Sequence, residues 1–267
     1  MAAPAEGKRV KGLICAGGEG TRLGELTRIT NKHLIPVGEW PMVFYPLRML
    51  EVAGIREILI VTGQRHAGDF IDLLGDGKVR TRDGADVLFD LDITYKVQPH
   101  AGGIAQAIGL ASSFVHPGEK FAVALGDNII ERNIIDAVKL FEKQPAGSAA
   151  IVLKEVDDPE RFGVASFDEA GVLTGIVEKP GTLSPGPPPS SFAVTGIYMY
   201  DSTVFDLIDG LEPSARGELE VTDLNNHFVR KGAMQHHVLD GWWRDAGTSE
   251  VLASIASLIQ RTGANNG

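Results

Sequence analysis

The chain has 267 residues, 43% of them hydrophobic and 22% charged, which is the make-up of a folded α/β protein long enough to bury a substantial core. That balance excludes a disordered, fibrous or membrane-embedded chain. A formal net charge of −10 argues against a nucleic-acid or anionic-membrane partner, either of which needs a basic face, yet it leaves room for a small phosphorylated substrate held by a few local cations.

The N-terminal MAAPAEGKRVKG has no apolar run ahead of a small-residue cleavage site, so no leader is expected there. Cys15 is the only cysteine, which rules out an intrachain disulfide and fits a reducing compartment. A cytoplasmic location is the expectation.

Strand-sized apolar runs follow at 10–16, 58–62, 93–97 and 121–125, and between them 42–53, 67–74 and 103–114 read as helices. This alternation predicts a doubly wound, mostly parallel (Rossmann-like) α/β sheet with helices on both faces. From about residue 151 the pattern shifts to shorter strands at 151–154, 163–167, 175–178 and 193–200, which points to a mixed sheet in that half. The stretch SPGPPPSS at 184–191 is a surface loop, because its prolines have no amide to donate and a fixed φ. At the end, 249–261 carries Val251, Leu252, Ile255, Leu258 and Ile259 at helical spacing, with Ser249 as the expected N-cap. One domain is expected, with a first half at about 9–150, a second at about 151–248 and a closing helix at 249–263.

The first strand runs directly into Gly17-Gly18-Glu19-Gly20-Thr21-Arg22-Leu23. Glycines at a strand's carboxyl end let backbone N–H groups approach phosphate oxygens, and Arg22 adds a fork of donors. A tight turn would account for the glycines alone. A dinucleotide fold does not fit, since Leu23 stands where its third glycine belongs and the next strand ends in Thr62-Gly63 without an acidic ribose ligand. A Walker A loop is absent. The excursion continues through Asn31-Lys32-His33-Leu34-Ile35-Pro36-Val37 and brings a second cation, Lys32, to the same strand end. Asp127, closing the apolar strand in Leu125-Gly126-Asp127-Asn128, is a natural oxygen ligand for Mg²⁺, although an Asx turn is the plainer reading. Asp245, after the tryptophan pair 242–243, is a second acid that could share the same cation.

The ordered set GGEGTRL, NKHLIPV, PM, VQP, GGIAQA, LGDN, DDPERFGV, EKP, VTG and GELEVTD resembles the sugar nucleotidyltransferases, in particular their thymidylyltransferase branch, over about 11–261. The resemblance implies a Mg²⁺-dependent enzyme that joins dTTP, or in a runner-up reading UTP, to glucose 1-phosphate, works as a homo-oligomer such as a tetramer, and has a smaller sugar-binding lobe. It implies that Gly17, Gly18, Gly20, Thr21, Arg22, Gln98, Gly103 and Asp127 bind nucleotide, and that Gly163, Glu178, Lys179 and Val194 bind sugar. Arg22, Lys32 and Lys179 then carry catalysis, with Asp127 and Asp245 on the metal. Local chemistry agrees: an amide reads an imide edge, a carboxylate accepts from vicinal hydroxyls, and a lysine holds a phosphate.

Three departures from the family pattern stand out: His33 where glutamine is usual after the loop lysine, Arg244-Asp245-Ala246-Gly247-Thr248 in place of Leu-Asp-Thr-Gly-Thr, and no proline after Arg22-Leu23. They put nucleotide preference, rather than reaction type, in question. A catalytically silent sugar-nucleotide sensor is the alternative from another class, and the retention of Arg22, Lys32, Asp127, Lys179 and Asp245 speaks against it. The histidines at 66, 100, 116, 227, 236 and 237 show no zinc spacing, and Cys15 has no neighbouring base, so all are read as structural.

Overall fold

The computed structural model describes residues 10–266. The N-terminal segment read above for a leader therefore lies, up to Arg9, outside the described residues. Nine strands form one sheet: Lys11–Ala16 (β1), Glu57–Gly63 (β2), Asp92–Gln98 (β3), Lys120–Leu125 (β4), Ala149–Glu155 (β5), Gly163–Phe167 (β6), Leu173–Glu178 (β7), Phe192–Asp201 (β8) and Met234–Val238 (β9). Their order is β7-β6-β8-β4-β1-β2-β3, with β5 and then β9 continuing from another stretch of β8. The pairs β4-β1, β1-β2, β2-β3 and β5-β9 are parallel, and β8 is antiparallel to β4, β5 and β6. The second half is thus mixed, as its shorter runs implied, and it is built onto the same sheet.

The central strands are apolar on both sides because both sides are covered. Ile14, Ile58 and Ile60 pack on one face with helix Phe44–Val52 (α1), helix Ala67–Leu74 (α2) and Phe141 of helix Ile135–Glu142 (α4). Leu13, Cys15, Leu59 and Val61 face the other layer, with helices Ile104–Gly109 (α3), Val204–Asp209 (α5) and Val221–Arg230 (α6). This one-residue alternation between two filled faces defines a buried parallel strand.

Three expectations shift in detail. The helix expected over 103–114 is α-helical only for Ile104–Gly109 and tightens to a 3₁₀ turn at Leu110–Ser113. The last helix, Ser249–Thr262 (α7), is capped one residue earlier than expected, by Thr248, whose hydroxyl accepts from Val251 N at 3.4 Å. Its Val251, Leu252, Ile255 and Ile259 pack on a third apolar cluster around Met42, Tyr45 and Ile129, and this cluster does not include Leu258. Among the described residues no helix is long and apolar enough to cross a membrane.

Candidate active site

The carboxyl ends of β1, β3 and β4 open on a cavity of about 410 Å³ whose far wall is made by β6, β7, β8 and the start of α6. Open α/β sheets bind ligands at these strand ends. Gly17, Gly18, Arg22, Lys32, Gln98, Gly103 and Asp127 line the cavity together with Gly163, Glu178, Lys179, Val194 and Asp245. Of the residues singled out in the sequence, Gly20 and Thr21 alone lie off its wall. Gly20 instead holds a left-handed turn, φ +67°, against the stem of Lys32.

Local hydrogen bonds position the first group. Thr27 Oγ1 donates to Gly20 O and Gly24 O, each at 3.1 Å, and folds the glycine excursion back on itself. Asn31 ties the end of that excursion to β1: its Nδ2 donates to Ala16 O at 3.2 Å, while Oδ1 accepts from His33 N at 2.9 Å. His33 Nδ1 lies 2.6 Å from the same oxygen, which requires the proton on Nδ1. Burial, reinforced by the charge of Lys32, pushes the His33 imidazole down to about 3, so the ring is neutral. It sits beside Gly18 and Gly126, next to Lys32, rather than beside Gln98.

Asp127 and Asp245 are brought together by a short antiparallel ribbon, Asn128–Ile130 with Trp243–Asp245, in which Asp245 pairs with Asn128. Lys32 Nζ donates to Asp127 Oδ2, and Asn128 Nδ2 donates to Oδ1 at 3.0 Å. Burial would raise the Asp127 carboxyl, but Lys32 and the Asn128 bond outweigh it and hold the group well below the usual carboxylate range. Burial and then the charge of Asp127 push Asp245 the other way, to about 6. Two carboxylates whose charges oppose one another, both hard oxygen donors, fit a divalent cation completed by phosphate oxygens. Among the described residues no larger cluster of metal-ligating side chains occurs.

Elsewhere on the wall, Gln98 Nε2 donates to Gln106 Oε1 at 2.9 Å and to Gly103 O at 3.2 Å, leaving Oε1 as the acceptor. Gly103 has φ +95°, and a Cβ there would fall 2.4 Å from Leu219 O, so packing alone demands glycine. Glu178 Oε2 accepts from Thr222 Oγ1 at 2.6 Å, and its Oε1 lies 3.4 Å from Lys179 Nζ. Lys179 is held at φ +41°, a conformation non-glycine residues avoid, and its carbonyl accepts from Thr182 N and Leu183 N at 3.0 and 2.9 Å.

The cavity also gathers residues that the motif reading passed over. Arg216 lines it, forked onto Glu220 at 2.9 Å to each carboxylate oxygen, and so do Arg161, Phe162, Tyr198 and Asn225. Arg161 and Arg216 stand inside or directly beside the quoted motifs DDPERFGV and GELEVTD. Counting cations within those stretches would have found them.

A glycine-rich excursion, paired acids and several cations are thus gathered in one cavity at the strand ends of an α/β sheet, where enzymes of this architecture hold their ligands. The nucleotidyl transferase family model matches residues 11–262, and the chain belongs to that family. It is 38% identical to a low-salt glycan biosynthesis nucleotidyltransferase of Haloferax volcanii over 94% of this chain and 66% of that one, so it spans slightly less than two thirds of that relative's length. It is 40% identical to the glucose-1-phosphate thymidylyltransferase of Neisseria meningitidis over 94% of this chain and 83% of that enzyme. The crystal structure of a putative glucose-1-phosphate thymidylyltransferase from Bacillus anthracis, in complex with sucrose, superposes with a TM-score of 0.84 at 44% identity, covering 95% of this chain and 96% of that one.

Proposed function

We propose that this chain makes dTDP-glucose and pyrophosphate from dTTP and glucose 1-phosphate, in the cytoplasm and as a homo-oligomer. The observation that carries the reading is that four cations, Arg22, Lys32, Lys179 and Arg216, line one cavity together with Asp127 and Asp245. Relatives of 40–44% identity described as thymidylyltransferases support the substrate pair.

In the proposed reaction an oxygen of the sugar phosphate attacks the α-phosphorus of the triphosphate. One O–P bond forms there, the bond from the α-phosphorus to the bridging oxygen breaks, and pyrophosphate leaves with the electron pair. The nucleophile is already ionised at neutral pH, so no general base is needed, and rate comes from alignment and charge neutralisation. Arg22 and Lys32 hold the leaving phosphates, while Lys179 with Arg216 holds the sugar phosphate. Glu178 accepts from sugar hydroxyls. Gln98 Oε1 accepts the imide N–H of thymine, a proton that cytosine lacks. Mg²⁺, held by Asp127 and Asp245, would supply further neutralisation of phosphate charge when bound.

The reverse direction tests this reading. Purified protein given dTDP-glucose, pyrophosphate and Mg²⁺ should release dTTP and glucose 1-phosphate in equal amounts. Intact dTDP-glucose after prolonged incubation would reject it and favour a silent binder.

A further inference from the structure

We propose that Lys32 is a counterion switch. In the free protein its ammonium occupies the divalent cation's place on Asp127, and the metal enters only as the triphosphate draws Lys32 away, so that metal and nucleotide bind as a unit. This rests on the substrate reading above and adds an order of events to it.

Both oxygens of Asp127 are already taken, one by Lys32 Nζ and one by Asn128 Nδ2. The two charged side chains are only 12% and 10% exposed, so little water reaches them and each is the counterion of the other. A buried charge stripped of its partner is strongly disfavoured, whereas exchange of one partner for another is not. The exchange partner is at hand, because Lys32 lies along the glycine loop: a Cβ on Gly20 would come within 2.8 Å of its Cβ, and one on Gly18 within 3.2 Å of its Cε and 3.6 Å of its Nζ. The ammonium therefore rests between a carboxylate and the backbone that would cradle phosphate, and rotation at the end of the side chain carries it from one to the other.

Arg22, more exposed than Lys32, lies near the second acid. A Cβ on Gly247 would lie 2.8 Å from Arg22 Nη2 and 3.4 Å from Asp245 Oδ1, so guanidinium and carboxylate share the face of that glycine. At rest Lys32 thus pairs with one acid, and Arg22 lies near the other. Metal arriving alone would strand the Lys32 ammonium beside a divalent cation, and triphosphate arriving alone would strand two carboxylates. Only joint entry leaves every charge paired.

The test is direct binding of Mn²⁺, followed by its electron paramagnetic resonance signal without nucleotide, to wild-type protein, Lys32→Met and Lys32→Gln. Removing the competing ammonium should tighten binding of Mn²⁺ alone by about tenfold or more in whichever variant folds, and adding Asp127→Asn should abolish that gain. Equal or weaker Mn²⁺ binding in the variants overturns the switch. A crystal structure of the wild-type protein with Mn²⁺ and α,β-methylene dTTP gives a second reading that needs no variant: Lys32 Nζ on phosphate supports the proposal, and Lys32 still on Asp127 beside bound metal overturns it. Failure of dTTP to bind at all would instead defeat the substrate reading, while the Mn²⁺-only comparison would still judge the switch.

Discussion

The Trp243 indole donates to Asn128 through Nε1 to Oδ1 at 2.6 Å, and the two residues flank the paired acids, Asn128 following Asp127 and Trp243 preceding Asp245 by two. The same Asn128 oxygen accepts from Gly196 N at 2.9 Å, so one carboxamide joins β4, β8 and the C-terminal ribbon beneath the cavity. Asn128→Ala leaves the Trp243 N–H and the Gly196 N–H unpaired in buried surroundings, each costing about 1–3 kcal/mol. Urea unfolding should show that loss together with reduced turnover. Unchanged stability would mean that the bond does not hold the acids in register.

Arg22 is exposed and packs little, so Arg22→Ala should fold normally. Removing a contact that strengthens in the transition state costs about 2.7–4 kcal/mol, by analogy with the loss of one oxyanion-hole donor, and turnover should fall roughly a hundredfold or more. Steady-state kinetics decide it, and wild-type turnover in this variant would remove Arg22 from the mechanism.

Asp127→Asn and Asp245→Asn keep size while each removes one charge from the proposed metal site. Both variants should lose activity, and wild-type activity should vanish with a chelator and return with added Mg²⁺. Chelator-resistant turnover, or survival of either variant at the wild-type rate, contradicts the paired site.

Cys15 lines the cavity but is only 9% exposed, and burial, aided by the charge of Asp127, pushes its thiol up to about 12. It therefore stays protonated at neutral and mildly alkaline pH and is a poor nucleophile. Folded protein at pH 8 should resist a thiol-labelling reagent that labels it stoichiometrically in urea. Fast labelling of the folded chain would show a reactive thiolate.

The sheet's first half was legible because strands covered on both faces are unbroken apolar runs, as at Ile58–Val61, and because glycines and acids collect where those runs end. The second half was harder to read. Strands β5 and β8 pair across intervening residues, and no local period reveals that Trp243 will bond to Asn128 from 115 positions away. Among the site residues, Arg22, Lys32 and Asp127 announced themselves by position at strand ends. Asn31 did not, because its role in tying Lys32 to β1 depends on a bond to Ala16 O that only the folded loop makes. Gly103 was expected to admit a base closely, and the structure adds a reason that pattern alone could not give, the carbonyl of Leu219 against its Cα.

The most direct test of the central claim is pyrophosphate release from glucose 1-phosphate and Mg²⁺ with dTTP, dUTP, UTP, CTP, ATP or GTP in parallel, reported as kcat/KM. The imide edge that Gln98 is proposed to read is common to thymine and uracil, so only the methyl separates dTTP from dUTP, a difference worth about 1–3 kcal/mol. The expected order is dTTP first, UTP used measurably but less well, and CTP and the purine triphosphates poor, with no release when glucose 1-phosphate is omitted. UTP outrunning dTTP would make the chain a uridylyltransferase, and no pyrophosphate from any triphosphate would contradict the account outright.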